Sequence, residues 1–253
     1  MTHPATIDRD EELALFDSML AGKTEERILL IQAESGWGKS ELLRAFAHRC
    51  PTGIRFAEID FKGGGTSLAE LFSRLCDKLG GWDRFPKLKT ELQSIVHPSI
   101  NVASNLIVGQ NQIEMYLGGR DEQERQARLS TLTDSFFADL RTLGKSLLIF
   151  DTFEKSDDVI QKWLADSFLS RAQNSPNLFI VVGGRRVPVE TLEWEYLHIP
   201  LSGISYEHWH RYAENIGVID TLDFIRGCCS LCRGHPLKMK THIDGLARQR
   251  QMA

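Results

Sequence analysis

A chain of 253 residues with formal net charge −4, 42% hydrophobic and 25% charged residues has room for one sizeable α/β core and a small appended unit. The slight acidity weighs against a dedicated nucleic-acid binder, and no apolar run approaches the roughly 20 residues that span a bilayer. The first ten residues lack the charged-then-apolar pattern of a secretion signal, and five cysteines at this length do not form a disulfide framework. The expected setting is therefore the cytoplasm, with no membrane partner.

In chain order, residues 27–33 are a short apolar run that reads as a buried parallel strand, and a glycine-rich turn follows it. Beyond the turn, Leu42, Leu43 and Phe46 mark one face of a helix. Residues 54–59 read as a second strand, and Leu68, Leu71, Phe72, Leu75 and Leu79 as an amphipathic helix stopped by Gly80-Gly81. Between residues 99 and 118 apolar residues alternate around Gly109-Gln110-Asn111-Gln112, which predicts a β-hairpin inserted in the core. Its free strand edges would invite protein contact. A long helix is expected over 121–143, a third strand over 146–151, a helix over 157–172, and strands over 178–182 and 196–201. From residue 205 onward the pattern is helical, near 205–215, 219–231 and 236–250. Strands alternating with helices predict a parallel sheet with helices on both faces, residues 1–203, followed by a helical lid, residues 204–253.

The turn after the first strand is Ala33-Glu34-Ser35-Gly36-Trp37-Gly38-Lys39-Ser40. It fits the phosphate-loop pattern G-x-x-x-x-G-K-[ST], with Ala33 at the first glycine and an extra glycine at Gly36. The chemistry explains the residue types. Backbone N–H groups can converge on an anion only where side chains are small or absent, and the following helix adds a favourable dipole. Ser35, Gly36, Trp37, Gly38, Lys39, Ser40 and Glu41 form the candidate nucleotide-binding set, with Lys39 reaching the β- and γ-phosphates and the Ser40 hydroxyl ligating Mg²⁺. The third strand ends in Asp151, placed to hold the same Mg²⁺. Glu154, three residues on, is the candidate base or water-orienting group; the alternative is a solvated glutamate beside Lys155. The fourth strand runs into Gly183-Gly184-Arg185-Arg186, and Arg185 is the first choice for sensing the γ-phosphate or stabilising transition-state charge. ATP is preferred over GTP because the chain has no Asn-Lys-x-Asp segment. Cys228, Cys229 and Cys232 read as thiols of a packed helix rather than metal ligands. The basic C-terminal helix, with Lys238, Lys240, Arg248 and Arg250, is the segment best suited to nucleic acid or an acidic partner.

Taken together, the stretch Asp8-Arg9-Asp10-Glu11-Glu12-Leu13, the phosphate loop, residues 147–154, Val182 to Arg185 and Gly234-His235-Pro236-Leu237 resemble, in this order, the STAND branch of the AAA+-like P-loop NTPases. That branch includes the NB-ARC and NACHT modules. The resemblance covers nearly the whole chain. It implies a P-loop NTPase fold of the ASCE type, with one strand between the phosphate-loop strand and the Asp151 strand. It also implies a helical lid with Pro236 near the adenine, and a leading segment around Arg9 that closes over the base. ADP would hold a closed state, and ATP would favour an open, oligomerising one. Gly183-Gly184 departs from the Thr-Ser/Thr usual before the sensor arginine, and Asp8 stands where glycine often precedes the leading arginine. The expected activity is slow ATP hydrolysis controlling a switch or scaffold, with a second copy or an effector protein in trans as partner. Two alternatives are a DNA-associated AAA+-like ATPase and a module that binds nucleotide without hydrolysing it.

Overall fold

The computed structural model describes residues 8–95, 106–118, 121–188, 196–218 and 222–251. Helix α1 (Asp10–Leu20) leads into strand β1 (Ile28–Gln32) and helix α2 (Lys39–Arg49). Strand β2 (Arg55–Asp60) is followed by helices α3 (Leu68–Lys78), α4 (Pro86–Ile95), α5 (Leu106–Leu117) and α6 (Glu122–Leu140). Strand β3 (Ser146–Asp151) leads to α7 (Asp158–Trp163), which passes through a π-helical turn into α8 (Leu169–Gln173). Strands β4 (Leu178–Gly184) and β5 (Leu197–Pro200) complete the sheet, and α9 (Tyr206–Asn215), α10 (Leu222–Cys232) and α11 (Pro236–Gln251) follow.

The five strands are ordered β2-β3-β4-β1-β5 and every neighbouring pair is parallel. One strand, β4, separates the strand of the phosphate loop from the strand that ends in Asp151, which is the α/β P-loop NTPase arrangement. Strands β3 and β4 are buried along their whole length, which is why they read as unbroken apolar runs. Side chains alternate between two layers. Ile28, Leu30, Leu148, Phe150, Ile180 and Val182 face the layer of α3–α8, whereas Leu29, Ile31, Leu147, Ile149, Phe179 and Val181 face α1 and α2. Phe16 of α1 stacks on Phe46 of α2 at 4.3 Å between ring centroids, which fixes the leading helix against the helix of the phosphate loop. A third, separate core, built on Trp209, Ile225, Met239 and Ile243, holds α9–α11 together.

The structure corrects the expected hairpin. Residues 106–117 are helical, and Gly109, Gln112, Ile113, Tyr116 and Leu117 are buried at the spacing of one helix face. Gly109 is not a turn residue. A Cβ there would lie 2.2 Å from Cζ2 of the buried Trp82, so the glycine lets α5 press against an indole. The part of that expectation covering 99–105 lies outside the described residues. Helix α4 carries no clear signal in the sequence; its start is held by the buried Asp139 of α6, which accepts a hydrogen bond from the Leu88 N–H at 2.9 Å. No helix among the described residues is long and apolar enough to cross a membrane.

Candidate nucleotide site

The phosphate loop connects β1 to α2 at the carboxyl edge of the sheet. Gly36 and Gly38 both sit at φ +84°, a conformation L side chains rarely adopt, and Gly38 stands at the N-cap of α2 with no side-chain cap. The first N–H groups of α2 are thus free to meet an anion. Ala33, at the first loop position, is buried, and its N–H bonds the Gly184 carbonyl at 3.1 Å. A methyl is tolerated there because the turn is anchored through the backbone. Ser35 and Glu41 are exposed, and Glu41 is turned to Arg44 of its own helix at 2.6 Å.

Lys39 Nζ lies 3.9 Å from Asp151 Oδ1, with only 10% and 7% of the two side chains exposed. Asp151 Oδ1 also accepts the N–H of Thr152 at 2.6 Å. Thr152 adopts φ +58°, a strained choice for a β-branched residue, and it swings the chain into the 3-10 turn Phe153–Lys155. That turn carries Glu154 sideways to the end of β4. There its Oε2 accepts the Arg185 N–H at 3.0 Å and its Oε1 accepts Arg185 Nε–H at 3.0 Å. Burial alone would raise the Glu154 pKa. The Arg185 N–H and guanidinium, with Lys39 nearby, outweigh it and hold the carboxylate below its ordinary value. The two glycines that depart from the expected pattern have a steric reason. A Cβ at Gly183 would meet Leu43 at 2.6 Å and Asp151 Oδ1 at 3.5 Å, and one at Gly184 would meet the Arg186 carbonyl at 2.3 Å and Glu154 Oε2 at 3.0 Å. The hard clashes are with Leu43 at position 183 and with the Arg186 carbonyl at position 184, where the Glu154 carboxylate would also be crowded.

The oxygen donors suit a hard cation. The Ser40 hydroxyl opens α2, and Asp151 keeps Oδ2 without a hydrogen-bond partner among the described residues. The described residues contain no cluster of three or more His, Cys, Asp or Glu side chains that could hold a metal. Cys228, Cys229 and Cys232 are half-buried against the third core, and Cys229 donates to the Ile204 carbonyl.

The C-terminal helices close over the loop. The Leu237 N–H bonds the Gly36 carbonyl at 3.1 Å, and the His235 ring lies 5.1 Å from that of Trp37. Pro236 Cγ sits 4.0 Å from where a Cβ of Gly38 would be. From the other side comes Arg9, only 4% exposed, which donates to the Trp37 carbonyl at 3.4 Å and the Ser202 carbonyl at 3.0 Å and pairs with Glu12 at 3.1 Å. Asp8, at φ +53°, accepts the Ser205 N–H at 3.2 Å and faces His208 at 3.3 Å. Lys39 with Asp151 and Glu154 with Arg185 thus stand at adjoining strand ends, and Arg9 and Pro236 approach the loop at Trp37 and Gly38. Ser202, which accepts from Arg9, was not singled out by any motif in the sequence.

The sequence profile of the AAA ATPase domain matches residues 7–181. No curated protein matches the sequence. Among solved structures, the chain is similar to a Walker-type ATPase of Pyrococcus abyssi, with a TM-score of 0.54 at 19% identity over 96% of this chain and 71% of that one. It is similar to a STAND protein with a tetratricopeptide repeat sensor from Pyrococcus horikoshii, with a TM-score of 0.53 at 13% identity over 90% of this chain. Drosophila ORC bound to DNA gives a TM-score of 0.53 at 14% identity over 97% of this chain. The chain spans 28% of the STAND protein and 61% of the ORC chain.

Proposed function

Because the chain belongs to the AAA ATPase domain family, we propose that it binds ATP with Mg²⁺, hydrolyses it slowly, and uses the nucleotide to control how its C-terminal helices pack on the sheet. The observation that carries this reading is the Leu237 to Gly36 hydrogen bond, which ties the lid to the loop that would hold the phosphates. A phosphate chain entering the loop is then felt by residues 204–253 without any intermediary. Residues 1–203 and 204–253 are the two bodies whose relative packing changes.

In this reading the N–H groups of the loop and of the start of α2 cradle the phosphates, Lys39 contacts the β- and γ-phosphates, and Pro236 and the segment around Arg9 flank the base. Ser40 and Asp151 would hold Mg²⁺, which neutralises charge on the phosphate oxygens. Glu154 accepts a proton from water as the water oxygen bonds to the γ-phosphorus. The bond from that phosphorus to the bridging oxygen breaks, and its electron pair leaves with ADP. The protein operates in the cytoplasm, with a second copy or an effector protein in trans as its partner.

Sedimentation velocity of the wild type with Mg·ADP and with a non-hydrolysable ATP analogue tests the reading, with Lys39→Ala as control. The expected result is a change of mass or shape between the two nucleotides that the variant does not make. Identical sedimentation in both, with bound nucleotide confirmed, rules out the switch.

A further inference from the structure

We propose that Cys229 and Cys232 are a dithiol pair that glutathione disulfide oxidises to a bridge, and that the bridge tightens the last turn of α10 and so loosens the segment that seats the C-terminal helices on the phosphate loop. The pair lies outside the residues assigned to nucleotide and needs no bound nucleotide, so it acts whether or not the ATPase reading holds.

The two cysteines stand three positions apart in Cys229-Ser230-Leu231-Cys232, which ends α10. Both are half-buried, neither is in a disulfide, and both pack against the core built on Trp209, Ile225, Met239 and Ile243, so their thiols share one side of the helix. Residues three apart on a helix have Cβ atoms about 5–6 Å apart, whereas a disulfide needs about 3.5–4.5 Å. The pair is close enough to bridge and too far apart to do so without a shift of that turn. Access comes through an open cleft of about 520 Å³ lined by Tyr206, Arg226, Cys229 and Arg233. Its two arginines suit the carboxylates of glutathione disulfide.

The same turn is tied to the phosphate loop. The Cys229 thiol donates to the Ile204 carbonyl at 3.4 Å, the Cys229 carbonyl accepts the Gly234 N–H at 2.9 Å, and the Cys232 carbonyl accepts the His235 N–H at 3.0 Å. Arg233 bends the chain there at φ +52°. The two segments that meet at this point have no slack, because a Cβ at Gly203 would lie 2.3 Å from the Arg233 carbonyl and one at Gly234 2.4 Å from the Ile204 carbonyl. The contacts of His235 with Trp37 and of Leu237 with Gly36 follow within three residues. Oxidation removes the Cys229 proton, and with it the bond to Ile204, and closing the bridge moves the carbonyls that hold Gly234 and His235.

In the exchange the deprotonated Cys229 sulfur bonds to one sulfur of glutathione disulfide. The S–S bond of glutathione disulfide breaks, and its other half leaves as a thiolate that takes up a proton. Cys232, deprotonated in turn, bonds to the Cys229 sulfur and expels the second glutathione. The protein pair loses two electrons, and one glutathione disulfide becomes two thiols. Burial pushes the Cys229 thiol up, so the first step is slow at neutral pH and quickens as the pH rises.

The test equilibrates the nucleotide-free full chain and its Cys228→Ser, Cys229→Ser and Cys232→Ser variants with mixtures of glutathione and glutathione disulfide, then counts and maps thiols by alkylation and mass spectrometry. Wild type and Cys228→Ser are expected to lose the thiols of Cys229 and Cys232 together and to regain them with dithiothreitol, whereas Cys229→Ser and Cys232→Ser form no internal bridge. Hydrogen exchange at the Leu237 amide should be about tenfold faster in the bridged wild type than in the reduced protein. No bridge in oxidising buffer, a bridge that needs Cys228, or a bridge that leaves Leu237 exchange unchanged overturns the proposal.

Discussion

At the scale of single residues, the site is a set of charges whose states are fixed by a few neighbours. The Arg185 N–H and guanidinium hold the Glu154 carboxyl below its ordinary value, despite its burial. A carboxylate whose folded pKa lies below its unfolded value, about 4.3 for glutamate, adds stability above that value. The contribution disappears as the pH falls through the lowered folded value. Thermal unfolding of the wild type and of Arg185→Gln should accordingly differ by a constant amount at neutral pH, with the gap closing below about pH 5. A gap independent of pH would show that the pairing does not set the ionisation of Glu154. The sequence pattern set Asp151 and Arg185 at strand ends and Lys39 and Ser40 at the start of a helix, where the structure has them. It did not display who pairs with whom. The 3-10 turn that carries Glu154 to Arg185 depends on one strained residue, Thr152, whose type suggests a strand rather than a left-handed bend.

At the scale of elements, the buried strands β1, β3 and β4 were legible as apolar runs, since a strand covered on both faces has no polar side to confuse the pattern. Helix α5 was not. Its apolar residues alternate locally, and Gly109 looks like a turn, because only the fold puts Trp82 against it. Helix α4 depends on a hydrogen bond from α6, a long-range contact that no local pattern encodes. The Gly109 packing gives a discriminating test. Alanine in an exposed helix would gain roughly 1 kcal/mol over glycine. Here the added methyl meets Trp82, which is only 2% exposed, and overpacking of this kind costs about 1–3 kcal/mol. Gly109→Ala should therefore lower the denaturant midpoint, and a raised midpoint would mean that α5 does not press on Trp82.

At the scale of the whole molecule, the lid and the leading segment meet over the phosphate loop. The ring contact between His235 and Trp37 ties the C-terminal helices to the phosphate loop by side chains, and such pairs contribute about 0.5–1.5 kcal/mol beyond their buried area. His235→Ala should loosen the lid, seen as a red shift in Trp37 emission and faster proteolysis of residues 204–251 in the nucleotide-free protein. Unchanged emission and cleavage would show that the backbone bond from Leu237 to Gly36 holds the lid alone. The three C-terminal helices were legible as helical patterns, with Gly-x-Pro-Leu opening the last of them. Their contact with Asp8 was not, since it joins residues almost two hundred positions apart, Asp8 to Ser205.

The strand order also sets a timetable for synthesis. Strand β1 is the first to leave the ribosome, yet both its neighbours come late, Ile28 pairing with Ile180 and Leu29 with Leu197. Until then β1 has no partner, and the loop's anchor, the bond from Ala33 to Gly184, does not exist. The phosphate loop is among the first parts translated and among the last to be built, and non-local pairing of this kind is slow and leaves apolar edges exposed. A nascent chain cut short before β4 would carry every residue of the loop and no binding site, so nucleotide capture marks completion of the sheet.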